Sequence, residues 1–147
     1  TTASAARTAL GLEIGTDVQA QSRVLVDIVS ANVGEIRVVK EEITLTSSTT
    51  NGTATIPDGA VVLYAEWKIT SAVSGTADLD YGLSGGISRA SAFKANDTNL
   101  ALNDRGAGSN SVPLYSNGTS NISVRTDGGT PTGSVEVAVY YRMTEIA

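Results

Sequence analysis

The sequence predicts a mainly β protein: a jelly-roll-like β-sandwich preceded by a short N-terminal helical connector. Three observations carry this expectation. Apolar and polar residues alternate through Val61–Ile69 and Ser134–Met143, the pattern of strands with one buried face. Shorter β-branched runs are separated by turn signals such as Thr49-Thr50-Asn51-Gly52 and Pro57-Asp58-Gly59. The hydrophobic fraction is 41% of 147 residues, enough to build the core of one ordinary domain.

Taken in order, Ala3–Leu12 is rich in helix formers, with Ser4 placed as an N-cap and Gly11 as a stop. Leu25, Ile28, Val29 and Val33 recur at helical spacing, although the β-branched run Arg23–Val29 equally permits a strand. Residues 1–34 are therefore assigned to a connector or shaft segment and residues 35–147 to the sandwich. Ile36–Thr46 reads as the first strand, and Asn51-Gly52 suits a hairpin turn into Thr53–Ile56. In Val61–Ile69 the odd positions Val61, Leu63, Ala65, Trp67 and Ile69 form the apolar face, which places Trp67 in the core and Tyr64 outside. Ala77–Leu83, Val112–Tyr115 and Asn121–Thr126 follow as shorter strands. Between them, Ser84–Ser111 reads as one long loop. In the last strand Val135, Val137, Val139 and Tyr141 face inward and Tyr140 outward.

Composition narrows the chemistry. Aromatic residues are 5% of the chain and there is no cysteine, so neither large rings nor disulfides supplement the core. Burial is accordingly expected to be completed by self-association, with Leu25, Ile28, Tyr64 and Tyr140 as candidate subunit contacts. The net charge is −5, and ten Lys and Arg are scattered singly, which disfavours nucleic-acid binding. With no His and no Cys, the usual general base, the thiol nucleophile and the soft metal ligands are missing. No stretch approaches the ~18 apolar residues of a membrane helix, so no membrane insertion is expected. The start at Thr1-Thr2 suggests a fragment or a processed product.

Two patterns resemble known modules. Ser4-Ala5-Ala6-Arg7-Thr8-Ala9-Leu10-Gly11-Leu12, running on to Ala20, resembles the connector of tailed-phage tail-fibre proteins. Ile56-Pro57-Asp58-Gly59-Ala60-Val61-Val62-Leu63, Ser74–Leu83 and the Gly-rich approach to the last strand, Thr126–Val135, are similar to the C-terminal module of phage and gene-transfer-agent fibres or spikes. That resemblance implies a homotrimeric fibre or spike tip in a virion. It would join other fibre proteins and adhere to a host surface polysaccharide or outer-membrane receptor. A purely structural virion role, as a head fibre or decoration protein, is the alternative, and a polysaccharide depolymerase fragment a third reading.

The residues offer limited chemistry for these roles. Asp78 and Asp80 share one side of a strand with Cβ atoms ~7 Å apart, compatible with the carboxylate spacing of glycosidases. They oppose Leu79 and Tyr81, however, and so fall on a solvated face. Asp97, Asn99, Asn103 and Asp104 could offer oxygen to Ca²⁺, but without EF-hand spacing they read as turn-capping residues, and no metal or cofactor is assigned. The candidate receptor contacts are Arg89, Phe93, Asn96, Asp97, Asn99, Asn103, Asp104 and Arg105, which combine the single Phe with planar polar groups in the presumed loop. In the competing reading Phe93, Leu100 and Leu102 pin that loop to the core. No enzymatic activity is expected.

Overall fold

The computed structural model describes residues 35–110 and 112–144. The expected helical connector, with Leu25 and Ile28, lies outside them. Nine strands follow: β1 (Ile36–Thr44), β2 (Thr49–Ile56), β3 (Ala60–Ser74), β4 (Leu79–Gly85), β5 (Arg89–Asp97), β6 (Arg105–Gly108), β7 (Leu114–Tyr115), β8 (Ser120–Thr126) and β9 (Thr132–Met143). No helix occurs among the described residues.

The strands form two antiparallel sheets. Sheet A has the order β1-β9-β3-β6, with β7 also bonded to β3, and sheet B the order β2-β8-β4-β5. Leaving aside the two-residue β7, this is the double Greek-key wrap of a jelly roll, as the turn-punctuated pattern predicts. The inner faces meet in a core that includes Ile43, Trp67, Ile69, Val135, Val137 and Val139 from sheet A and Ile56, Leu79, Tyr81, Leu83, Ile122 and Val124 from sheet B. Trp67 takes the place its alternation predicts. It stacks on Tyr81 of the opposite sheet with ring centroids 4.3 Å apart, so one large aromatic contact spans the sandwich.

Several expectations are corrected. In β3 the register against β9 slips between Val62 and Tyr64. A bulged residue reverses the alternation that follows it. Val62 therefore lies opposite the inward Tyr141 and joins the inter-sheet cluster, whereas Val61 lies opposite Arg142, on the other side of β3, although it is fully buried there as well. The odd-numbered apolar face holds from Ala65 to Ile69 and fails before it.

Asn51-Gly52 is not a hairpin turn. Both residues lie within β2, where pairing with β8 slips between Asn51 and Thr55. The carboxylate of Glu41 from β1 fills this irregularity: Oε1 accepts from Thr53 N (2.8 Å) and Thr53 Oγ1 (2.9 Å), and Oε2 accepts from Ala54 N (3.0 Å). A Cβ on Gly52 would collide with that carboxylate, so a side chain there and the Glu41 contact exclude each other. Burial pushes the Glu41 pKa up, but the bonds from Thr53 and Ala54 outweigh it and hold the carboxyl below its ordinary value.

The long loop at 84–111 is mostly sheet. β5 and β6 occupy it, and Phe93 and Ala92 are buried in the core. β5 escapes a period-two reading because its pairing with β4 slips twice, between Leu79 and Tyr81 and between Tyr81 and Leu83. At the second slip the Arg89–Ala90 backbone crosses directly over Gly82, leaving no room for a side chain there. Asp80 is likewise not solvated. It is buried, accepts from Asn96 N (2.8 Å) and pairs with Arg125 (3.2 Å).

Candidate functional site

The eight residues expected to contact a receptor do not form one surface. Arg89 opens β5 opposite Leu83, while Asp97 closes it opposite Leu79, so the two sit at opposite ends of the β4–β5 pairing, about 13 Å apart by the β4 rise. Phe93 and Asp97 are buried. Asp97 Oδ2 accepts from the indole Nε1 of Trp67 (2.8 Å), and Oδ1 accepts from Asn99 N (3.2 Å) and Nδ2 (2.9 Å).

Asn99, Asn103 and Asp104 serve the turn between β5 and β6, and Asn96 lies just before it near the end of β5. Asn96 and Asn103 adopt positive φ, 52° and 72°, which asparagine tolerates better than most residues. Asn103 N donates to Ile69 O (2.9 Å), and Asp104 Oδ2 accepts from Ala101 N (2.8 Å). These bonds lay the turn along the margin of β3, where Ile69 N reaches Asp104 O (2.8 Å) and Val73 N reaches Leu100 O (3.0 Å). Leu100 packs against the core, whereas Leu102 is exposed, so the pinning expected of Phe93 and Leu100 is found and that of Leu102 is not. Among the described residues no group of three or more acidic side chains is placed to hold a metal ion.

The outer face of sheet A gathers more exposed functionality. Tyr64 of β3 and Tyr140 of β9, separated by 76 positions in sequence order, are register partners and stack at 4.4 Å with planes 10° apart. Tyr140 Oη donates to Glu66 Oε2 (3.0 Å), and this bond, with the carboxylate charge beside it, raises the phenol's pKa. Lys40 of β1 pairs with Glu136 of β9 at 3.0 Å. Lys68 and Arg105 lie directly opposite each other on β3 and β6. A depression of about 290 Å³ opens among Lys40, Glu66, Lys68, Arg105, Glu136 and Tyr140. Of these, Arg105 and Tyr140 were expected to make contacts, though in different surfaces. Lys40, Glu66, Lys68 and Glu136 were not singled out. They fall on the polar sides of their strands, and only the register brings them together.

The carboxylates of the depression are occupied, Glu66 by a phenol and Glu136 by an ammonium, and its lining lies on the open side of a sheet.

No known protein family and no curated protein matches the sequence. Solved structures do share its fold. One is a chain of the capsid asymmetric unit of cyanophage Pam1, with TM-score 0.55 and 18% identity over 75% of this chain and 86% of that one. Another is a chain of the acid-stable capsid of Helicobacter pylori bacteriophage KHP30, with TM-score 0.54 and 14% identity over 74% of this chain and 87% of that one. Identity is low in both, so what this protein has in common with these two phage capsid chains is its β-sandwich.

Proposed function

We propose that this protein is a non-enzymatic structural component of a bacteriophage virion, associated with the head as a decoration or head-fibre protein. The observation that carries the reading is the shared sandwich, which spans three-quarters of this chain and most of each phage capsid chain it resembles. The outer face of sheet A fits the role through its stacked Tyr64 and Tyr140 and through Arg105, residue types enriched at protein interfaces. Tail-fibre adhesion is the second reading, favoured by the resemblance of Ser4–Leu12 to fibre connectors. The dispersal of the eight candidate receptor residues weakens it.

Immunogold electron microscopy of the parent virion, with antibodies raised against the purified chain, separates the readings. Label over the head supports the proposal. Label confined to tail tips, with purified protein blocking phage adsorption, would replace it with adhesion, and virions without label would sink both.

A further inference from the structure

Three cations line the depression on the outer face of sheet A, and they differ in what holds them. Lys40 is engaged by Glu136 at 3.0 Å. The side chains of Lys68 and Arg105 have no hydrogen-bond or ion-pair partner among the described residues. They are register partners on β3 and β6, so both leave the sheet on the same face. Like charges directly opposite each other weaken a strand pair, and this pair is only four residues long. The carboxylates nearest to them are taken up elsewhere. Glu136, which faces Lys68 from β9, is bonded to Lys40, and Glu66 accepts from Tyr140 Oη at 3.0 Å.

The charge balance of the lining indicates what this pair would take. Lys40, Lys68 and Arg105 stand against Glu66 and Glu136, which leaves a single positive charge over. One carboxylate neutralises that excess. A phosphate, with nearly two charges at neutral pH, would exceed it while lying beside two carboxylates. The guanidinium of Arg105 is a planar fork that matches both oxygens of a carboxylate, and Lys68 adds a point charge beside it. The depression, about 290 Å³, has room for an acidic side chain, but on the open side of a sheet it does not enclose a free metabolite. One face of the Tyr140 ring is already covered by Tyr64 at 4.4 Å, which narrows the platform left for a sugar. The net charge of −5 is screened beyond about 8 Å at physiological salt, so the local excess governs what docks here.

We propose that Lys68 and Arg105 form a carboxylate-binding site, filled by an Asp or Glu side chain that a different protein presents to the outer face of sheet A. Arg105 donates to both carboxylate oxygens, and Lys68 bonds one of them from the neighbouring strand. The inference does not depend on the virion reading, since it concerns the anion accepted and not the particle that supplies it.

Heteronuclear NMR of the full chain at low salt tests it, with N-acetylglutamate methylamide as the probe. Saturable shifts of the Arg105 Nε–H and of the Lys68 and Arg105 amides are expected. The dissociation constant should be about 1–10 mM, because exposed ion pairs are weak. The capped glutamine analogue should move none of these signals. Lys68→Gln and Arg105→Gln alter only the outer face of the sheet, and dispersed spectra will confirm that each variant is folded. Each should weaken binding about fivefold or more. Inorganic phosphate and glucuronate are titrated in parallel. The absence of saturable shifts up to about 50 mM overturns the proposal, as do shifts that persist in both variants. Tighter binding of phosphate overturns the carboxylate assignment, and tighter binding of glucuronate replaces the protein partner with an acidic sugar. Movement of the same signals with protein concentration alone would assign the site to a second copy of this chain and overturn a different partner.

Discussion

The indole of Trp67 on sheet A donates to the buried carboxylate of Asp97 on sheet B at 2.8 Å, a polar bond between the two sheets. The same carboxylate receives both donors of Asn99 and so fixes the start of the turn between β5 and β6. Asp97→Ala would leave the indole N–H unsatisfied in the core and release that turn. The expected loss is about 2–3 kcal/mol in urea unfolding. Asp97→Asn keeps an acceptor and should cost less.

Tyr81 stacks on Trp67, and its buried hydroxyl has no hydrogen-bond partner. Burial, and secondarily the charge of Asp97, raises its pKa above the ordinary 10.0. The folded state therefore keeps this proton while the unfolded chain releases it, so the stabilisation is complete below pH 10 and falls as pH rises further. Tyr81→Phe should be neutral or slightly stabilising at pH 7, by up to about 1 kcal/mol. Above pH 10 it should remove a loss approaching about 1.4 kcal/mol per pH unit, read from urea midpoints at pH 9, 10 and 11.

Glu41 and Gly52 form a single device, because the carboxylate occupies the space a Cβ would need. Glu41→Ala and Gly52→Ala should each cost about 1–2 kcal/mol through loss of the same hydrogen bonds. The double variant should cost much less than the two together, and strict additivity in the cycle would refute the coupling. The folded-state pKa of Glu41 is lowered, so its contribution is present above pH 4.5 and fades as pH falls through the lowered value. Glu41→Gln should flatten the acid limb of stability between about pH 5 and 3.

Two glycines separate contact from conformation. Gly82 lies against the Arg89–Ala90 backbone, so Gly82→Ala must displace β5 and should cost about 3 kcal/mol or prevent folding. Gly128 has φ +82° and nothing near its missing Cβ. Gly128→Ala should carry only the left-handed backbone penalty of about 1 kcal/mol. Thermal denaturation of the pair distinguishes the two origins.

How far the sequence could be read depended on regularity. Where β9 runs unbulged, its period of two places Val135, Val137, Val139 and Tyr141 inward correctly. One extra residue near Leu63 reverses Val61 and Val62, because a local signal cannot show where a strand slips against its partner. β5 lost its signature for the same reason, and with it went the correct placement of Phe93 and Asp97. Asn51-Gly52 has the composition of a hairpin turn, but Glu41 supplies a non-local partner that holds it within a strand. Tyr64 and Tyr140 were legible as outward residues, while their stacking belongs to the register alone.

The strand order also sets a timetable for synthesis. β1 and β2 emerge first, yet their sheet partners are β9 and β8, so Ile36 waits more than a hundred residues for Arg142. Neither sheet can close until the end of the domain has left the ribosome. Folding should therefore be slow and wait for the emergence of β9, as expected where most pairing is remote in sequence. During that interval β1, with its apolar Ile36, Val38, Val39 and Ile43, lacks its β9 neighbour. Nascent chains stalled before β9 should be sensitive to protease and dependent on holdase chaperones until the last strand is released.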